Sequence, residues 1–289
     1  MRGANDASVR ALADSLAPPP GPATEPSPEN RWGDLAPRVA SALVLVPLAL
    51  VCIWQGGAFW AVLVTLATVG LGWEWGRLTD FPTFSLASVA IPSVTVLSIG
   101  LAAAEFWLPA LTLIAVSTLV LGLSAGWLAL GLPYIAAAAL GLIWLRADPA
   151  VGLGNLLFAV LIVWASDIGA YLAGRLLGGR KLAPAISPGK TISGALGGLA
   201  AAGAVGLAVA YAFSGTLSGR AALLAVALGV VAEAGDLLES WIKRRCGKKD
   251  SSHLIPGHGG LLDRLDALLA VAPVAAVLAF LLGRGAVLW

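Results

Sequence analysis

Apolar residues run through this chain in long stretches, near residues 39–55, 58–75, 83–103, 106–127, 132–145, 155–174, 192–213, 219–242 and 264–286, with polar residues gathered in the short segments between them. A helix needs about 20 mostly apolar residues to cross a hydrocarbon core of about 30 Å, and most of these stretches offer that length. The pattern predicts an all-α integral membrane protein, a polytopic bundle of about nine transmembrane helices. The fifth stretch, LPYIAAAALGLIWL, is short; read with the fourth as one broken unit, it lowers the count to eight.

Composition supports this class. Of 289 residues, 58% are hydrophobic and 12% charged, with a mean hydropathy of +0.88, which excludes an ordinary soluble surface. Residues 1–38 contain LAPPPGPATEPSPEN and little that packs a core, so they are expected to form a disordered cytoplasmic tail. They lack the basic start, short apolar core and cleavage site of a signal peptide, and the first helix is expected to remain in the mature protein. The rest divides into amino-terminal transmembrane helices over 39–150 and a carboxyl-terminal region, 151–289, that carries the chemistry. Cys52 and Cys246 show neither metal-ligand spacing nor a disulfide framework.

The formal charge of +2 hides a strong clustering. Lys181 and Lys190 fall in one short segment, and Lys243, Lys248 and Lys249 in another. With nine spans and the amino end inside, only Arg146, Arg220 and Arg284 lie outside, leaving fifteen of eighteen basic residues on the cytoplasmic side. Both basic segments then face the cytoplasm. The seventh stretch, SGALGGLAAAGAVGLAVA, is rich in small residues, which predicts close helix packing.

The eighth stretch ends in VVAEAGDLLESWIKRRCGKKD, where Glu233, Asp236, Ser240 and Lys243 follow at steps of three, four and three and share one helical face. Acidic groups inside a span are costly and face a cavity, a partner or a cation, which is the expectation for Asp236. Glu239 reads instead as a helix-end residue solvated at the interface. After a basic turn come Asp250 and IPGHGGLLDRLD, in which Asp263 and Asp266, with Arg264 between them, open the ninth helix. One such carboxylate is explained by the helix dipole. Two on one face, with Asp236 on the preceding helix, suit a hard cation such as Mg²⁺.

Asp167 lies midway along the sixth stretch and is too far from Arg175 for a direct pair, so it is expected to point into a cavity. Pro188, Gly189, Lys190 and Thr191 read as a turn leading into the seventh helix, a good anion site. A Walker A motif is rejected, because Pro184 occupies the glycine position and no strand is expected before it. His258 is open between catalysis and support of its turn, while His253 and Lys248 read as ordinary loop residues. Gly257, Gly259 and Gly260 are expected to supply backbone conformations that side chains forbid.

The block SWIKRRCGKKDSSHLIPGHGGLLDRLD, Ser240 to Asp266, resembles the signature of the phosphatidate cytidylyltransferases, the membrane-embedded CDP-diacylglycerol synthases. SDIGAYLAGRLLGGRKLAPAISPGKT, Ser166 to Thr191, is similar to the family's upstream region. One departure is visible: after the Ser-Pro-x-Lys-Thr turn the family usually places a glutamate, where this chain has Ser193. The resemblance implies the Mg²⁺-dependent reaction of CTP with phosphatidic acid, giving CDP-diacylglycerol and pyrophosphate; a second cation is compatible with it. It also implies cation binding by Asp236, Asp263, Asp266 and, more weakly, Asp250. Lys243, Arg244, Lys249 and Arg264 are expected to bind phosphates, with Ser240 and His258 positioning them. Lys190 and Thr191 form a second clamp, and Asp167 joins the substrate-binding set. Asp236, Asp263, Lys243 and His258 are the expected catalytic group.

The partners expected are CTP, phosphatidic acid, membrane lipids and a second copy of the chain in a homodimer, without nucleic acid. The location expected is a bacterial inner membrane, multi-pass, with the site facing the cytoplasm. A CTP-dependent lipid or polyprenol kinase is the alternative enzyme, and an ion-coupled transporter the alternative of another class. The Asp-Gly-x-x-Ala-Arg pattern of CDP-alcohol phosphotransferases is absent.

Overall fold

A computed structural model describes residues 35–82, 85–252, 254, 259–283 and 285–289, with side chains described from residue 43 onward. Nine α-helices follow in chain order among them: α1 (Leu35–Gln55), α2 (Gly57–Leu78), α3 (Leu86–Ala103), α4 (Trp107–Ala125), α5 (Gly131–Ala147), α6 (Gly152–Leu177), α7 (Ile192–Ser214), α8 (Gly219–Arg245) and α9 (Leu262–Leu282). The chain is an all-α polytopic membrane protein. The predicted tail of residues 1–38 lies outside the described residues except for its last four, which open α1; Pro37 in that first turn interrupts no helical hydrogen bond.

Among the described residues seven runs are long and apolar enough to cross a bilayer, so the count of nine spans is not confirmed. α4 and α5 form one run of 41 residues, Trp107–Ala147. A 3₁₀ turn, Gly126–Leu130, interrupts it, and Gly126 enters that turn at φ 50, a conformation other residues resist. The described apolar part of α1, Leu43–Gln55, is too short to be counted with the seven.

α6 and α7 lie close enough that a Cβ on Gly197 would stand 2.2 Å from the Ala173 Cβ. Small residues at such crossings let backbones approach where no hydrophobic force distinguishes helix from lipid, the use expected of the seventh stretch. α8 and α9 meet similarly, a Cβ at Gly235 falling 2.5 Å from the Ala270 Cβ. These contacts hold α6, α7, α8 and α9 together.

The segment expected to be a turn at 188–191 is a strand. β1 (Lys181–Ala183) and β2 (Ser187–Thr191) pair antiparallel, Lys181 opposite Thr191 and Ala183 opposite Ser187. In a two-stranded hairpin both strands are edges, so Pro188 can sit in β2 with its missing donor turned away from the ladder. β1 overturns the expectation that no strand comes before this motif, although Pro184 still precludes a Walker A loop. Thr191 ends the strand and caps α7, its Oγ1 accepting from the Gly194 N–H at 3.1 Å.

Candidate active site

Asp236 and Glu233 are one helical step apart on α8, and Lys190 reaches them from the end of β2. The Lys190 Nζ stands 2.6 Å from Asp236 Oδ2 and 3.6 Å from Glu233 Oε2. One turn further along α8, the Ser240 hydroxyl donates to Asp236 Oδ1 at 3.4 Å. The other oxygen of Glu233, Oε1, is buried without a hydrogen-bond partner. It lies against α7 at Gly198, where a Cβ would come within 3.0 Å of it.

Lys243 forms a second centre, with its Nζ 2.7 Å from Asp263 Oδ1 on α9 and 3.0 Å from Glu239 Oε1 on its own helix. The Glu239 contact is an ion pair by distance, set outside good hydrogen-bond geometry. Glu239 is fully buried, which corrects the expectation of a solvated interfacial residue. It faces inward toward α9 and α5, within electrostatic reach of Asp266 and Lys243, and the lysine one turn along offsets part of the cost of burying a carboxyl group there.

Asp263 does more than face Lys243. Its Oδ2 accepts from the Ser251 N–H at 3.0 Å, the Ser251 hydroxyl at 2.9 Å and the Gly260 N–H at 3.2 Å, closing the loop between α8 and α9 over the start of its own helix. A second carboxylate holds the same loop from the other half of the chain. Glu74 on α2 is fully buried and accepts from Leu261 N–H at 2.8 Å, Leu262 N–H at 2.6 Å and the Ser251 hydroxyl at 3.1 Å, and from the Ser252 hydroxyl. It caps the free N–H groups at the start of α9 from outside the helix. Sequence reasoning missed Glu74; the available signal was a lone acid inside an apolar stretch, which is expensive unless it has such a task.

Asp167 of α6, Asp236 of α8 and Asp266 of α9 lie within electrostatic reach of one another, Asp167 exposed and the other two half-buried. Lys190 and Arg264 also act on Asp167. Six carboxylates (Asp167, Glu233, Asp236, Glu239, Asp263 and Asp266) and three basic side chains (Lys190, Lys243 and Arg264) thus share this end of the bundle. Carboxylate oxygens are the donor type that a hard divalent cation takes. No ready-made group of three or more metal-binding side chains occurs among the described residues. The Lys190 ammonium sits on Asp236, where a cation would compete with it.

A family model described as the cytidylyltransferase family matches residues 36–282. The chain belongs to this family. A protein named phosphatidate cytidylyltransferase from Brucella suis biovar 1 is 39% identical over 252 residues, 83% of this chain and 91% of the relative. Another of that name, from Pseudomonas aeruginosa, is 41% identical over 271 residues, 87% and 99% of the two chains. A third, from Haemophilus influenzae, is 47% identical over 131 residues, 44% and 46% of the two.

The span matched by the cytidylyltransferase family takes in Glu74 as well as the loop it holds, so α2 belongs to the same unit as the carboxyl-terminal helices. Around that centre the other expected residues take several positions. Arg244, at the end of α8, donates through Nε to the Ile186 carbonyl in the hairpin turn at 3.4 Å, tying the two basic segments together. Lys249 is exposed, and Asp250 is exposed beside Arg77, Asp80 and Lys248 in a polar pocket on the loop's outer side. Lys248 is not an ordinary loop residue: its Nζ stands 2.6 Å from Asp80 Oδ1 and donates to the Arg77 carbonyl, pinning the loop to the end of α2. Ser193, in the place of the family glutamate, donates to the Gly178 carbonyl and lies 3.1 Å from Thr191 Oγ1. Arg175 bonds Tyr171 at 2.8 Å and not Asp167, which is exposed within electrostatic reach of Asp236 and Lys190. Gly259 adopts φ 85, and Gly260 leaves no room for a Cβ, which would fall 1.8 Å from Ser251 Oγ. His253, Gly257 and His258 lie outside the described residues.

Proposed function

We propose that this chain transfers the cytidylyl group of CTP to phosphatidic acid, giving CDP-diacylglycerol and pyrophosphate. A phosphate oxygen of the lipid attacks the α-phosphorus of CTP; the bond from that phosphorus to the bridging oxygen of the β-phosphate breaks, and pyrophosphate leaves with the electron pair. The lipid phosphate is already an anionic nucleophile, so the site needs no strong base. Its task is to hold two polyanions in line and to neutralise charge developing at the α-phosphate. The observation that carries this reading is the convergence of Asp167, Asp236 and Asp266 from three helices, with Lys190, Lys243 and Arg264 among them.

Mg²⁺ bound at such a cluster supplies charge neutralisation on the triphosphate. Asp236 and Asp266 would hold it, with Glu233 beside them; Asp263 joins as a ligand only by releasing Lys243 or the loop. Lys190, beside Asp236 and at the amino end of α7, would bind a phosphate. Lys243, Arg244, Lys249 and Arg264 would bind the remaining phosphates, and Ser240 would orient Asp236. The same reading puts the protein in a bacterial inner membrane with this cluster at the cytoplasmic side, supported by the clustering of basic residues near it, and as a homodimer.

Product analysis tests the reaction. Detergent-purified protein given phosphatidic acid should convert α-labelled CTP into labelled CDP-lipid and γ-labelled CTP into labelled pyrophosphate. Label passing from the γ-position to lipid would establish a kinase instead.

A further inference from the structure

A cavity of about 370 Å³ opens between α1, α2, α5, α6 and α9, within the range of about 300–1,000 Å³ usual for small-molecule sites. Leu261, Leu265 and Leu268 give it one face of α9, and Arg264 in their midst is the only charged side chain among the described residues that line it. Arg264 also acts electrostatically on Asp167, so the charged end of the cavity adjoins the carboxylate cluster. On α2 the lining runs from Leu71, near that end, down to Trp60. Eleven residues at 1.5 Å each make about 16 Å, a length comparable to that of one acyl chain in a leaflet, half of a hydrocarbon core of about 30 Å. Trp60 is buried at the far end, its ring fixed by a 3.0 Å hydrogen bond from Nε1 to the Leu142 carbonyl of α5.

We propose that this cavity receives one acyl chain of the phosphatidic acid, with the lipid phosphate at Arg264, and that Trp60 sets the length of chain it accepts. The proposal rests on the reaction proposed above and adds where its lipid is held. A cation at the mouth of an apolar slot about one acyl chain long is complementary to an anionic single-phosphate lipid. Apart from Trp60, Trp164 and Thr68 the walls are aliphatic, so beyond Arg264 they offer a triphosphate no partner, and a lipid without an anionic phosphate has nothing to set against Arg264. The reach of Arg264 to Asp167 would set that phosphate next to the carboxylate cluster.

Two readouts test it on the full chain in detergent micelles. First, phosphatidic acid carrying a photoreactive diazirine at the end of one acyl chain should label the unmodified protein around Trp60 and Ile53, with excess phosphatidic acid suppressing the labelling and phosphatidylcholine failing to do so. Second, Ala67→Trp, which narrows the α2 wall, should lower kcat/KM for dioleoyl relative to dioctanoyl phosphatidic acid about tenfold. Ala49→Leu on α1 should act in the same direction should the tryptophan variant not fold. Labelling spread over the lipid-facing surface, or suppressed equally by phosphatidylcholine, overturns the proposal, as does an unchanged chain-length ratio in a folded variant. Specific labelling at Trp60 without any CDP-lipid formation would uphold the binding site and overturn the reaction, so the two failures are distinct.

Discussion

The Leu262 N–H of α9 donates to Glu74 Oε2 of α2 at 2.6 Å across 188 residues of sequence. With Leu261 and two serines on the same carboxylate, this buried contact fixes where α9 begins and therefore where Asp263, Arg264 and Asp266 stand. Removing the acceptor leaves N–H groups without partners at a buried helix start, at about 1–3 kcal/mol each. Glu74→Ala should therefore destabilise the protein by about 3 kcal/mol and lower turnover, with Glu74→Gln, which keeps one acceptor oxygen, in between. Thermal unfolding in detergent alongside CDP-lipid formation checks both; an Ala variant of unchanged stability contradicts the role.

Gly260 tests the other side of the same latch. A Cβ there would meet Ser251 Oγ at 1.8 Å and Asp263 Oδ2 at 2.9 Å, so Gly260→Ala must displace the loop. The expected result is loss of turnover by at least about tenfold, since misplacement by about 1 Å can cost about a hundredfold. Gly100→Ala, at a helical position where a Cβ meets nothing within 4 Å, should keep full activity and gain slightly in stability.

Lys190 competes with any cation for Asp236. Lys190→Gln removes one positive charge 2.6 Å from that carboxylate. At an effective dielectric near 20 such a charge is worth a few kcal/mol, reduced here because both side chains are partly open to solvent, so tightening of Mn²⁺ binding by about tenfold is expected. Turnover should fall, because the phosphate clamp is lost. Titration followed by Mn²⁺ paramagnetic resonance reads the first effect independently of activity; weaker Mn²⁺ binding would contradict the arrangement.

The α6–α7 contact should be intolerant of volume. Gly197→Val forces apart backbones held where a Cβ would lie 2.2 Å from Ala173, and should cost about 1–3 kcal/mol or more. Chain yield and thermal unfolding measure it, and a neutral outcome would mean that the crossing is looser than described.

Much of this architecture was legible in the chain because hydropathy reports helix length directly, and α6 to α9 lie where their apolar runs lie. The shared face of Glu233, Asp236, Ser240 and Lys243 follows from helical spacing alone. What hydropathy leaves unspecified is how one helix is turned toward another, which packing decides. For that reason the meeting of Lys190 with Asp236, the burial of Glu239 and the reach of Glu74 to Leu262 were not legible. The β1–β2 hairpin escaped notice because it is short, and Pro188 and Gly189 read equally well as a turn.

Asp236 stands where Lys190, Ser240 and the neighbouring carboxylates meet, so its neutral isostere tests the central claim most directly. In purified, folded protein, Asp236→Asn should lower CDP-lipid formation from CTP and phosphatidic acid by about a thousandfold, comparable to the loss of a principal charge-stabilising group, with pyrophosphate release falling in parallel. Near-normal turnover by this variant at limiting Mg²⁺ would contradict the assignment of the reaction to this cluster.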